Sequence, residues 1–202
     1  MAQETSAPDG REPKPAGPPC HGTPQPVGSK PRSRINCGRL DMRIARDGNW
    51  FYHGTPIGRK EMVRLFATIL ERRADGSYWL ASPAEEGLIE VEDAPFVAVE
   101  LLAAGSGRDQ RLSFRTNLDD LVPLDAEHPL RLGTAQVAAL HDDSRGAVPY
   151  VLVRKGLEAR LAHAVYYELV ERGVEERRDG ALKYGIWSAG LFFPLGMLAA
   201  TD

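Results

Sequence analysis

Two distant stretches of the chain carry the same ordered series of signals, and this repetition restricts its possible folds more than any single motif. Arg43-Ile44-Ala45-Arg46-Asp47-Gly48 corresponds in type and order to Val151-Leu152-Val153-Arg154-Lys155-Gly156. Ile57-Gly58-Arg59 and Leu161-Ala162-His163 each stand just before a helical pattern, and Val63-Arg64-Leu65-Phe66 aligns with Tyr167-Glu168-Leu169-Val170. Each helical stretch runs into a charged stop, at Glu71 to Gly76 and at Glu175 to Gly180, after which two strands are expected. The unit is strand, turn, strand, helix, strand, strand. Its period is too long, and two copies are too few, for a solenoid. Duplication of one ββαββ unit and chance similarity of two such segments both produce the pattern; the ordered match favours duplication. The expected class is α+β, with duplicated ββαββ-type units and a β-rich second half.

Local signals fill in the units. Asp47-Gly48 between Arg43–Arg46 and Asn49–Tyr52 is a hairpin signal whose two central residues are expected at positive φ. Met62, Phe66, Ile69 and Leu70 recur at helical spacing. From Pro95 onward the pattern is mostly β: strands are expected at 96–102, 111–116, 121–124, 130–132, 150–154, 157–161, 182–187 and 191–195. Residues 133–147 read as an excursion, and 164–172 as a helix. Phe51, Tyr52, Trp79 and Trp187 are expected to be core or strand-pair aromatics.

Eight of the fifteen prolines fall between Pro8 and Pro31, among Gly, Ser, Lys and Arg. Such a segment has too little apolar surface to offset its ordering entropy, so residues 1–35 are expected to be a disordered tail, passive or used for docking. The expected domains are 36–94, an α+β unit, and 95–202, a β-rich unit with one main helix. The net charge of −3 shows no basic excess, which argues against a general nucleic-acid binder. Cys20 and Cys37 form no C-x-x-C pair. Residues 1–4 show neither a basic nor an apolar leader region, and the apolar run at 191–200 is broken by Pro194 and Gly196 and is too short to span a bilayer. A cytoplasmic protein without membrane contact is expected.

Several short motifs together resemble one family. They are Ile44 to Trp50, Pro56-Ile57-Gly58-Arg59, Leu65 to Leu70, Ala94 to Val97, Phe114-Arg115-Thr116-Asn117, His128-Pro129-Leu130, Tyr166 to Leu169 and Trp187 to Gly190. The chain resembles the bacterial domain of unknown function number 1285 from about residue 38 to 198. The resemblance implies a duplicated core whose second half is superficially like a pleckstrin-homology barrel. It also implies a site between the halves for a nucleotide-type ligand, and a role in signal transduction. His163 stands where that family favours Arg, and Ser82-Pro83-Ala84-Glu85-Glu86 approximates its Thr-Pro-x-Glu-Lys pattern.

No catalytic motif is legible. Ser188 lacks the Gly two places before it that a nucleophile elbow needs, and a tight turn explains Ser188-Ala189-Gly190 better. Gly105-Ser106-Gly107 lies between strands rather than before a helix, unlike a dinucleotide loop. The five histidines are scattered without metal-ligand spacing, so no metal or other cofactor is expected. The acid pairs Glu85-Glu86, Asp119-Asp120 and Asp142-Asp143 read as solvated. The suggestive feature is electrostatic: Arg59 and Lys60 open the first helix, where free N–H groups joined by a cation make an anion site. His163 holds the matching place in the second helix; simple exposure of Arg59 is the alternative. Arg115 and Asn117 at a strand end would add contacts, or serve as ordinary strand-end polar residues. The candidate ligand contacts are therefore Arg59, Lys60, Arg115, Asn117, His128 and His163. The expected function is a non-enzymatic ligand-binding or regulatory module for a small anionic ligand; a protein-interaction module using the second half and the tail is the alternative, and a hydrolase comes last.

Overall fold

The computed structural model describes residues 34–133, 148–178 and 180–197. Residues 1–33 of the Pro-rich tail and nearly all of the excursion expected at 133–147 therefore lie outside the described residues; Ile35, expected in the disordered tail, instead opens a strand, because it pairs with Glu85.

The first half runs β1 (Ile35–Ile44), β2 (Trp50–Tyr52), β3 (Thr55–Pro56), α1 (Lys60–Thr68), β4 (Leu70–Arg72), β5 (Tyr78–Ala81) and β6 (Glu85–Val91). These strands form one sheet in the order β3-β2-β1-β6-β5-β4. All its neighbours are antiparallel except β1 and β6, which α1 and the β4–β5 hairpin bring together in parallel. The second half begins with β7 (Phe96–Ala104), β8 (Arg111–Thr116), β9 (Leu121–Pro123), β10 (Leu130–Gly133), β11 (Val148–Arg154) and β12 (Leu157–Leu161). They build a second sheet, β10-β11-β12-β7-β8-β9, again with one parallel pair, β12 and β7. After α2 (His163–Glu171), β13 (Val174–Arg178), β14 (Ala181–Ser188) and β15 (Leu191–Met197) form a third, antiparallel sheet. The fold is α+β: mostly strand, with two α-helices among the described residues.

Both charged stops prove to be strands. Leu70–Arg72 pairs with Tyr78–Leu80, and Val174–Arg178 with Ala181–Gly185, so three strands rather than two follow each helix. Charge misleads here because the Glu and Arg side chains of these two strands are exposed or half-buried, so the strands can carry charge without penalty. The order of elements recurs in the two halves, but the pairing does not: β6 returns to β1, whereas β15 is joined to β14 in the separate third sheet.

Turn chemistry also differs between the two copies. In the first hairpin only Gly48 has positive φ, at 83°; its N–H donates to the Ala45 carbonyl in a three-residue loop with a bulge. Lys155 and Gly156, at 43° and 78°, form the two-residue turn with both centres left-handed that was expected of Asp47-Gly48.

The two halves share one apolar core. Ile44 and Trp50 from the first half and Phe96, Phe114, Leu157 and Ile186 from the second are all at most 1% exposed and belong to the same cluster. Among the aromatics expected inside, Trp187 is buried, but Tyr52 is 50% exposed. Phe51 and Trp79 are half-buried and carry the guanidinium groups of Arg43 and Arg73 at 4.5 and 3.7 Å from their ring centres.

Asn117 clips the halves together. Its Oδ1 accepts the Val97 N–H at 3.1 Å, and its Nδ2 donates to the Gly48 carbonyl at 3.1 Å. A Cβ on Gly48 would sit 2.5 Å from that Nδ2, so the close approach requires glycine as much as the turn does. Asn117→Ala should leave a half-buried N–H and a carbonyl unpaired, which costs roughly 2 kcal/mol. Urea unfolding should show a lower midpoint with an unchanged slope.

Candidate functional site

One well-formed concavity lies within the first half, lined only by residues between Cys37 and Gly87. Between the inner face of the first sheet and α1 lies a cavity of about 510 Å³. Alternation along β1 turns Leu40 and Met42 into it, and helical spacing does the same for Met62, Phe66 and the C-cap residue Ile69 of α1. Leu80 of β5 closes the far wall. Gly87 forms part of the floor; a Cβ there would meet Leu40 Cγ at 2.5 Å, so the glycine lets the two strands pack at this point. The mouth is marked by Tyr52 and Met62, 50% and 41% exposed.

The polar part of the lining comes from one turn, Ser82 to Glu86. Ser82 Oγ accepts the Glu85 N–H at 2.9 Å and donates to the Glu85 carbonyl at 3.0 Å. That turn fixes the start of β6 and sends consecutive side chains to opposite faces. Glu86 borders the cavity but is committed to Arg73 at 2.7 Å and Arg34 at 3.7 Å. Glu85 shares its face with Gly87 and Ile89, toward α1, and has no side-chain partner among the described residues. Among the described residues, two carboxylates and no Lys, Arg or His line the cavity.

The six residues proposed from sequence do not gather in one cleft. Arg59 is the N-cap of α1, and His163 is the first residue of α2, whose N-cap is Ala162. The structural equivalent of His163 is thus Lys60, one place from the expected match. Arg59 and His163 are both exposed and have no side-chain partner among the described residues. Lys60 bonds Asp119 Oδ2 at 2.7 Å, and Arg64 reaches the same oxygen while its Nε donates to the Leu118 carbonyl at 2.8 Å. Arg115 is held by Glu100 at 2.5 Å across the β7–β8 pair. Asn117 is the interdomain clip already described. The His128 ring meets Asp125 Oδ1 at 2.9 Å within a turn that the same oxygen caps through the His128 and Glu127 N–H groups. Burial pushes the Asp125 carboxyl up, but the hydrogen bonds from His128 and from those N–H groups outweigh it and hold the group below its ordinary value.

Ser188 is fully buried: its hydroxyl donates to the Leu124 carbonyl at 2.7 Å and accepts the Leu112 N–H at 3.0 Å, pinning the third sheet to the second. Among the described residues no three His, Cys, Asp or Glu side chains gather in a metal-binding group, and no helix is long and apolar enough to cross a membrane. The cavity residues were missed by sequence reading. The available signal was Leu40-x-Met42 on a strand facing Met62 and Phe66 on a helix, but an apolar strand face opposite an apolar helix face reads as ordinary core.

A two-part, mostly β protein with a cavity under its first helix is what fold and site define. The chain belongs to the DUF1285 family: residues 30–94 match the domain of unknown function (DUF1285), N-terminal domain, and residues 95–195 match the protein of unknown function (DUF1285), C-terminal domain. It is similar to the crystal structure of a DUF1285 family protein from Silicibacter pomeroyi DSS-3, with 43% identity, a TM-score of 0.71, and coverage of 82% of this chain and 85% of that one. A DUF1285 family protein from Shewanella baltica OS155 is 29% identical, with a TM-score of 0.47 over 66% of this chain and 92% of that one. No curated protein matches the chain.

The Asp119 contacts carry a pH signature. The hydrogen bond from Lys60, helped by the attraction of Lys60, Arg64 and Arg115, outweighs slight desolvation and holds the Asp119 carboxyl below its ordinary value. A carboxylate depressed in the folded state stabilises above its unfolded pKa and loses that contribution as pH falls through the folded one. The stability difference between the wild type and Asp119→Asn should therefore be constant near neutrality and close below about pH 4. Urea midpoints measured from pH 7 down to pH 2.5 test this.

Proposed function

We propose that this chain is a non-catalytic, ligand-binding regulatory module that acts in the cytoplasm, with its site in the cavity between the first sheet and α1. The observation that carries this reading is the cavity itself. Its volume falls inside the range of about 300–1,000 Å³ typical of small-molecule sites, and its walls are apolar with a few polar groups at one end, as such sites require. Packing normally eliminates voids of this size from a domain, so an open apolar space is a feature to be explained by an occupant.

The regulatory part rests on α1. Met62 and Phe66 face the cavity, while Lys60, Arg64 and the Ala67 carbonyl face the second half and bond Asp119 and Arg154. An occupant pressing on one side of the helix acts on contacts made by the other. The recurrence of element order in the two halves fits a duplicated origin, and the second sheet with α2 packed on β7 fits the pleckstrin-homology-like reading of that half. A second reading, a small anion at the start of α1, is favoured by the unpartnered guanidinium of Arg59; Lys60 and Arg64 are already satisfied by Asp119.

Titration with 1-decanol, a neutral apolar probe, should raise the melting temperature of the full chain. At a hundredfold excess over its Kd the increase should be roughly 5–10 °C. Met62→Trp places an indole at the cavity mouth from an exposed position, so its unliganded melting temperature should stay close to the wild type while the decanol shift disappears. An equal shift in both proteins would show that the probe binds elsewhere.

A further inference from the structure

We propose that the ligand of this cavity is an aliphatic primary amine, its ammonium on Glu85 and its hydrocarbon chain between α1 and the first sheet. The inference rests on the cavity being a ligand site and adds the chemistry of the ligand. Three features of the lining lead to it. The first is the different state of the two neighbouring acids in the lining: Glu86 is neutralised by Arg73 and Arg34, while Glu85, on the same face of β6 as Gly87, has no side-chain partner among the described residues. The second is rigidity. The backbone of Glu85 is held at both its N–H and its carbonyl by Ser82, so the carboxylate is carried on a fixed turn rather than a mobile loop.

The third is sign. Among the described residues no Lys, Arg or His lines the cavity, so an anionic head would meet the unpaired Glu85 carboxylate, whereas an ammonium would complete an ion pair with it at the edge of a low-dielectric space. A metal ion is a poor alternative occupant, because Glu86 is already committed and one carboxylate alone does not make a cation site. An unbranched chain is the matching body: the inner walls are Leu40, Met42, Phe66 and Leu80, all apolar. Charge-assisted hydrogen bonding to one carboxylate predicts roughly a tenfold to hundredfold gain over a neutral head of the same chain length.

The test uses three ten-carbon probes on the full chain at pH 7, each below its aggregation limit: decylamine, 1-decanol and decanoate, with affinities from calorimetry. Decylamine should bind at least tenfold more tightly than decanol, and decanoate most weakly. Glu85→Gln should bring decylamine down to the level of decanol while leaving decanol unchanged, which also reports that the variant is folded. Salt supplies a check that needs no variant: raising ionic strength should erode the advantage of the amine and spare the alcohol. If decanol binds but decylamine binds no better, or if the preference survives Glu85→Gln, the amine assignment is wrong and the cavity reading stands. If none of the three binds, both fall.

Discussion

The grip of the second half on α1 is the constraint from which the rest of the molecule follows. A nine-residue helix is marginal in water by itself, and α1 has no side-chain N-cap and no basic residue in its last turn. Both ends are instead served from across the domain boundary. Asp119, on the turn after β8, sets a carboxylate against Lys60 and Arg64 at the positive end of the helix. Arg154, at the end of β11, donates to the Ala67 carbonyl at the negative end, at 2.8 Å. Each charge has the sign that the macrodipole favours. Arg154 also lies 5.0 Å from the Phe96 ring centre and 3.5 Å from Asp120, which ties the same guanidinium to the second sheet.

That arrangement gives a reason for the cavity. A helix held by its ends need not settle fully onto the sheet beneath it, and the small residue Gly87 leaves the floor without a side chain to rise into the gap. Trp50, 1% exposed and stacked 6.4 Å from Phe66, props the helix at its middle. The clip formed by Asn117 then sets the distance between the first hairpin and the β7–β8 ladder, so the two halves carry α1 as a shared part. One continuous core, rather than two, is the energetic expression of this.

The fold was legible where side-chain period and turn chemistry agree. The existence of both helices, the β8 strand and the Lys155-Gly156 turn follow from local pattern, although the helical spacing ran on through Leu70, which the structure places in β4. The charged strands β4 and β13 did not, because an exposed strand of Glu and Arg carries no alternation of hydrophobicity to reveal it. The site was less legible still. Lys60, Arg115 and Asn117 drew attention as polar residues near a helix start and a strand end, and His128 through the His128-Pro129-Leu130 motif. Their partners, Asp119, Glu100, the Gly48 and Val97 backbones and Asp125, are tertiary or turn contacts that a linear reading cannot assign. The cavity is hidden for the opposite reason: its walls have the composition of a core.

Asp119 shows why a cation at a helix start is an ambiguous sign. Positive side chains there work against the dipole, so a sequence that puts Arg59 at the N-cap, Lys60 first in the helix and Arg64 one turn on, against the single acid Glu61, favours an anion from elsewhere. Here the chain supplies its own, from a residue held at φ 65°, a left-handed conformation that Asp tolerates better than most side chains. The anion takes up two of the three cations and in doing so docks α1 on the second half. The polar side of the helix is thereby spent on holding the molecule together, and the apolar side, with Met62 and Phe66, faces the cavity. A ligand that moves those two side chains works directly against the Asp119 and Arg154 contacts, since residues 62 and 66 lie opposite residues 60, 64 and 67 on a helix of this pitch.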